Sequence, residues 1–224
     1  MERKPKRRTR ERILETALAL FNDFGEPNVT TQLIADDMGI SPGNLYYHFH
    51  NKDEIIESLF ADFERLIEET LAAPARRPPN VEDIWLFLHL VFENIWKFRF
   101  LYRDINELLS RNRVLETHFK RIVAHKVHTA TLICKGLVST GDMKATPPEI
   151  QALALNMTVV ATYWLSFEFV SDPRKKIDGD SLSRGAFQVM ALAAPYLVGR
   201  SRQLFEEVSR NYLTPMASTA TRKS

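Results

Sequence analysis

Between Thr30 and Leu45 the chain reads TTQLIADDMGISPGNL, two stretches of helical periodicity on either side of one glycine. Helices this short are marginal in water by themselves, so they must bury a shared face. Ile34, Met38, Ile40 and Leu45 form that apolar side. Ala35 is small, as it must be where two helices cross closely, and Gly39 supplies the left-handed backbone of a tight inter-helix turn. Thr30 or Thr31 is expected to cap the first helix of the pair, which ends at Gly39. Ser41 is expected to cap the second, with Pro42 at its first position, where the missing N–H costs nothing. These are the demands of a helix-turn-helix.

The second helix ends near Phe49, and only Leu45 and Phe49, four apart, are spaced as core anchors. Pro42, Gly43, Asn44, Tyr46, Tyr47 and His48 then project outward. This inventory suits DNA. Small residues at the helix start allow close backbone approach to base edges, while hydroxyls, imidazole and Lys52 can hydrogen-bond to phosphates. The helix N-terminus adds partial positive charge. The competing reading has the aromatics capping a small helical core, which suits Phe49 but not Tyr47 or His48 on the other side of the helix. Seven basic residues between Arg3 and Arg12, against Glu2 and Glu11, form an arm suited to a polyanion or a solvated tail. The net charge of +2 taken alone argues for no partner.

Strand signals are nearly absent, and helical periodicity covers almost everything else. The spacing predicts an all-α chain. A first helix runs from about Thr9 to Phe24, with Ile13, Ala17, Leu20, Phe21 and Phe24 on one face and Gly25 as its C-terminal cap. Asn51 caps a fourth helix, Lys52 to about Ala73. APARRPPN, residues 73–80, is a linker, since three prolines cannot continue a helix. Further helices are predicted at Val81–Phe98, Leu101–Arg111, Val114–Val138, Pro147–Val170, Leu182–Val198 and Arg202–Tyr212. Pro195 should bend the fifth of these. Leu204, Val208 and Leu213 of the sixth are expected to pack alongside. The division expected is a basic arm and DNA-binding head over residues 1–52 and a larger helical domain over 53–213. Residues 53–73 connect the two, and 214–224 form a disordered tail.

The single cysteine, Cys134, excludes an intramolecular disulfide and reads as a buried thiol. Residues 150–170, IQALALNMTVVATYWLSFEFV, are long enough to span a bilayer, but Gln151, Asn156 and Glu168 favour a buried core or subunit interface. The protein is expected in the cytoplasm, without membrane contact. His118, His125 and His128 share a helix face, yet Arg121 and Lys126 nearby argue against a metal. His89 and Glu93 are a weaker pair still. No nucleophile elbow, phosphate-cradling glycine loop or HExxH is present, so neither catalysis nor a cofactor is expected.

The run TTQLIADDMGISPGNLYYHFHNKDEI, with Gly39, Gly43, LYYHF at 45–49 and Lys52 in register, resembles the signature of TetR-type (TetR/AcrR) helix-turn-helix transcriptional regulators over residues 9 to about 60. That resemblance implies a double-stranded DNA operator. Gly43, Asn44 and Tyr46 would approach base edges; Thr31, Tyr47, His48 and Lys52 would hold the DNA backbone, and Gln32, Ser41 and Pro42 complete the set. It implies a homodimer whose two helices nearest the C-terminus build an intersubunit bundle. Residues 150–170 and 185–198, the two least charged helices, support this independently. It also implies a pocket for a small, hydrophobic effector. The large side chains expected there are Phe63, Trp85, His89, Phe92, Trp96, Tyr102, Asn106, Phe119 and Trp164, though a solid aromatic core would use most of them too. The function expected is a ligand-responsive repressor. The alternative is a helical scaffold or small-molecule carrier whose head binds protein.

Overall fold

The computed structural model describes residues 4–72, 81–172 and 179–213. The expected linker at 73–80 and the tail at 214–224 lie outside these. Eleven α-helices occupy the described residues: α1 (Lys4–Phe24), α2 (Thr31–Met38), α3 (Pro42–His48), α4 (Lys52–Ala72), α5 (Val81–Lys97), α6 (Arg99–Arg103), α7 (Ile105–Arg111), α8 (Arg113–Thr140), α9 (Pro147–Ser171), α10 (Gly179–Ala193) and α11 (Gly199–Leu213). Among them the only β-type pairing is an isolated bridge between Met143 and Leu197.

The chain divides into two compact units. Residues 1–66 and 97–120 form one, and residues 67–96 and 121–224 the other. By packing, α6, α7, α4 as far as Leu66 and α8 as far as Lys120 belong to the same unit as the head helices.

In the first unit, α1, α2 and α3 bury Ile13, Ala17, Phe21, Ile34, Ala35, Leu45 and Phe49. Most of the basic run is not an arm but the first turns of α1. Arg10, within it, lays its guanidinium over the Phe49 ring at 4.7 Å and donates to Ser58 Oγ at 2.9 Å. Phe24, expected on the apolar face of α1, is instead 60% exposed at the helix end. The end of α1 is tied to α6: the Asn22 side chain donates to Lys97 O and accepts from Phe100 N, and Arg103 donates to Phe21 O. Phe60, Phe63, Phe98, Tyr102 and Phe119 fill the interior, with Phe63 edge-on to Tyr102 at 5.7 Å. The single helix expected at 101–111 breaks at Asp104, whose carboxylate accepts the Glu26 N–H instead of continuing a helix.

In the second unit α10 lies along α9. Trp164 Nε1 donates to Ser181 O at 2.8 Å, and Arg184 pairs with Glu168 through two hydrogen bonds. Gly185 permits this approach, because a Cβ there would stand 2.7 Å from the Trp164 ring of α9 and 2.4 Å from the Phe92 ring of α5. Pro195 terminates α10 in a short 3-10 turn rather than bending it. In α11 Ser201, Phe205 and Ser209 are buried while Leu204 and Val208 are half-buried, and the Leu213 side chain lies outside those described. Thr146 and Glu149 form the expected capping box of α9, which holds the Glu149 carboxyl below its usual range. Cys134 is buried, and burial pushes its thiol up to about 11.

Candidate nucleic-acid interface and internal cavity

The turn between α2 and α3 is fixed by local chemistry. Thr30 Oγ1 accepts from Leu33 N, Gly39 sits at φ 65° and closes α2, and Ser41 Oγ accepts from Asn44 N. With Leu45 and Phe49 buried, Ser41, Pro42, Gly43, Asn44, Tyr46 and Tyr47 are exposed and His48 half-buried. Tyr47 packs edge-on against the His48 ring at 5.3 Å. Thr31 is half-buried at the start of α2, and the exposed Gln32 donates to Asp36. A Cβ on Gly43 would meet nothing within 4 Å, so the head's own packing does not require glycine there.

Lys52 differs from the rest of the expected set. Its ammonium donates to Glu26 O and Val29 O, and it lies 2.7 Å from Glu26 Oε1. The ammonium expected at phosphate thus sits among two backbone carbonyls and a carboxylate of the head. Its partner stands 26 residues earlier in the chain, and sequence periodicity carries no signal for that pairing.

The nine residues expected around a pocket do not converge. Phe63, Tyr102 and Phe119 belong to the aromatic interior of the first unit, and Asn106 is exposed. In the second unit Phe92 is sealed against Gly185, Trp164 bonds Ser181, and Trp96 is half-buried. Trp85 lies 4.4 Å from the ring of His89, whose Nδ1 contacts Trp85 O. Large flat rings fill space against one another well, so they make core rather than void. Nor do the three histidines of α8 converge. His118 bonds Glu64, His125 bonds Glu68, and His128 is exposed. Among the described residues no group of three metal-ligating side chains forms.

A small apolar hollow, partly open to solvent, does exist in the second unit. Leu71 of α4, Ile84, Leu88 and Val91 of α5, Ala130 and Ile133 of α8, Met157, Thr158 and Ala161 of α9, and Val189 of α10 line it. The lining also includes Lys126, which is only 5% exposed. Its ammonium lies 3.5 Å from Thr162 Oγ1, and burial pulls its pKa down to about 7. The signal was present in the sequence: Lys126 interrupts the buried stripe Ile122, Thr129, Ile133 and Leu137 on α8.

Known proteins resemble this chain along its length. The family described as bacterial regulatory proteins, tetR family, matches residues 13–59, and the one described as bacterial transcriptional repressor matches residues 62–205. The crystal structure of a TetR-family transcriptional regulator from Marinobacter aquaeolei has a TM-score of 0.82 at 35% identity, covering 91% of this chain and 98% of that one. The ketosteroid transcriptional regulator KstR2 of Mycobacterium tuberculosis shares the fold, with a TM-score of 0.62 at 19% identity over 85% of this chain and 96% of that one. Tetracycline repressor class C of Escherichia coli is 37% identical over 65 residues, 29% of each protein. The repressor KstR2 of Mycolicibacterium smegmatis is 39% identical over 54 residues, 24% of this chain and 26% of that protein. The chain thus aligns with a quarter to a third of the length of these curated relatives.

Proposed function

Since this chain belongs to the TetR family of DNA-binding transcriptional regulators, which are not enzymes, we propose that it is a homodimeric repressor released from a palindromic operator by a small effector with an apolar body. The observation that carries this reading is the outward surface of α3, where exposed Asn44, Tyr46 and Tyr47 surround a glycine that the fold does not need. In a major groove, Gly43, Asn44 and Tyr46 meet base edges, while Thr31, Gln32, Ser41, Tyr47 and His48 hold the phosphate backbone and Pro42 starts the helix close to it. Lys52 anchors the start of α4 through Glu26 and so keeps α3 in register. Residues 1–52 carry recognition of DNA, and residues 53–213 carry contacts to effector and partner.

Support for the dimer comes from α9. It is long and apolar enough to cross a membrane, yet it buries only one side. Leu155, Val159, Tyr163, Phe167 and Val170 form an exposed stripe at helical spacing. A second copy of this helix covers such a stripe by two-fold symmetry. Ala186, Val189 and Met190 of α10 are already buried in their own chain, so α9 supplies the apolar part of the interface. The dimer then presents its two α3 helices about one duplex turn apart, roughly 34–36 Å.

The cavity in the second unit is the effector site in this reading. Its lining is apolar apart from Thr158 and Lys126, as small-molecule sites mostly are. The helix α4 contributes to both compact units and carries the signal. To take the operator from almost fully occupied to almost empty, the effector must discriminate between the two states by about 5 kcal/mol. A protein acting on bacterial DNA works in the cytoplasm.

The test is selection of bound duplexes from a random pool by the purified protein, followed by salt-dependent shift assays. A two-fold symmetric site and a steep loss of affinity with salt are expected. Recovery of no common sequence, with weak and salt-insensitive binding, overturns the proposal.

A further inference from the structure

Resting on the proposal that α3 enters a major groove of the operator, we infer that Arg111 of α7, outside the helix-turn-helix, is a positioning residue for DNA. It holds the Glu26 carboxylate so that Lys52 turns one N–H to an operator phosphate at the flank of α3.

The chain leaves α3 at His48 and enters α4 at Lys52. The Lys52 side chain is 24% exposed, and its ammonium donates to Glu26 O and to Val29 O, just before the Thr30 cap of α2. Two backbone carbonyls therefore fix the amine between the starts of α2 and α4, on either side of the helix proposed to read bases. Its remaining N–H has a competitor for any phosphate: Oε1 of Glu26, at 2.7 Å. The Glu26 side chain has no exposed surface. If Lys52 were its sole partner, turning that N–H away would strand a charge where water does not reach, which is strongly disfavoured. Arg111 removes this obstacle. Its Nη2 lies 2.7 Å from the same oxygen and stays there when the ammonium turns. Asp53, 4.0 Å from Arg111, and Glu107 also draw on its charge, but both are exposed and water screens them. The buried carboxylate thus keeps one cation while the other reaches outward. Without Arg111, Glu26 claims Lys52 for itself.

Affinity is read by fluorescence anisotropy on the full chain, with the operator recovered from the random pool and an unrelated duplex of equal length, over a range of salt. Arg111→Gln should weaken both duplexes by a similar factor, about tenfold, and flatten the slope of log affinity against log salt by about one unit, with the consensus unchanged. Arg111→Lys should recover most of the loss. Glu26→Gln removes the competing charge, so it should bind at least as tightly as the wild type even though it is less stable. In that background Arg111→Gln should cost less than about twofold. A merely structural junction reverses the sign, because loosening it by Glu26→Gln would weaken binding. The Glu26→Gln comparison keeps the test decisive even if Arg111→Gln folds poorly. Unchanged affinity for Arg111→Gln, weaker binding by Glu26→Gln, or an undiminished cost of Arg111→Gln beside it each overturns the role of Arg111 and leaves the reading of α3 standing. Failure of the wild type to bind any duplex overturns both.

Discussion

Oε1 of Glu26, a residue with no exposed surface, lies 2.7 Å from Nη2 of Arg111, the last residue of α7. The same oxygen takes Lys52 Nζ at the same distance. One buried carboxylate therefore joins the turn before the helix-turn-helix, the start of α4 and the end of α7. Burial pulls Arg111 down, but the hydrogen bond and charge of Glu26, together with the charges of Asp53 and Glu107, leave it above the ordinary arginine range.

Stability should respond asymmetrically to changes at this junction. Lys52→Met combined with Arg111→Met strands a fully buried charge and is expected to cost about 3–5 kcal/mol. Glu26→Gln leaves two partly exposed cations that water still reaches, so its cost stays nearer about 1–2 kcal/mol. Urea unfolding of the three proteins measures both. Equal costs would mean that the carboxylate is not desolvated in solution.

The contrast between Lys52 and Leu45 explains what a sequence can reveal here. Leu45 and Phe49 were legible as buried because their spacing names a helix face, and both are buried. Gly39, Ser41 and the capping box at Thr146 were legible because each acts within a few residues of itself. Lys52 shows the limit. Its face was known but its partner Glu26 was not, since tertiary contact chose it. Phe92 and Phe63 were legible as interior residues, yet hydrophobicity does not say which interior they join, nor whether it is solid. Lys126 was overlooked because a lysine reads as solvated unless the stripe around it is traced.

Gly43 should trade stability for binding. A methyl group there meets no neighbour, and alanine favours helix over glycine by about 1 kcal/mol or less. Gly43→Ala is thus expected to raise the melting temperature slightly while weakening operator binding at least about tenfold, a loss of roughly 1.4 kcal/mol. Unchanged affinity would show that the start of α3 does not approach the bases. Gly185→Ala is the control, since its methyl would collide with the Phe92 and Trp164 rings and should destabilise the second unit.

Lys126 gives stability a pH dependence whose sign can be worked out. Its amine titrates near 10.5 in the unfolded chain and at about 7 in the folded one. Between those values the unfolded state holds the extra proton, so stability rises with pH across that window and is flat below it. From pH 7 to 9 the gain from this residue is about 2 kcal/mol. Lys126→Met should lose that gain and exceed the wild type in stability at about pH 6. Parallel pH-dependent slopes for the two proteins would place the lysine in contact with water.

The stripe on α9 should decide the oligomeric state. Val159→Glu with Tyr163→Glu puts two like charges at the middle of the proposed two-fold contact, on residues that are 48% and 46% exposed in the single chain. Fold and melting temperature of the protomer should therefore change little, while sedimentation shifts from dimer to monomer. Operator affinity should fall together with assembly, because each half-site is then bound alone. A variant that remains dimeric assigns the interface to another surface.

Asn44 and Tyr47 should separate the two kinds of contact proposed for α3. A side-chain amide facing a base edge carries sequence information, so Asn44→Ala is expected to cost about 1–3 kcal/mol on the selected operator and little on random duplex. In the proposed complex the Tyr47 hydroxyl, on a ring that is 63% exposed, faces phosphate. Tyr47→Phe should accordingly weaken selected and random duplexes by a similar factor and leave the consensus intact. Repeating the pool selection with each variant reads this directly. A changed consensus for Tyr47→Phe together with an unchanged one for Asn44→Ala would exchange the two roles, which requires α3 to lie in the groove rotated about its own axis.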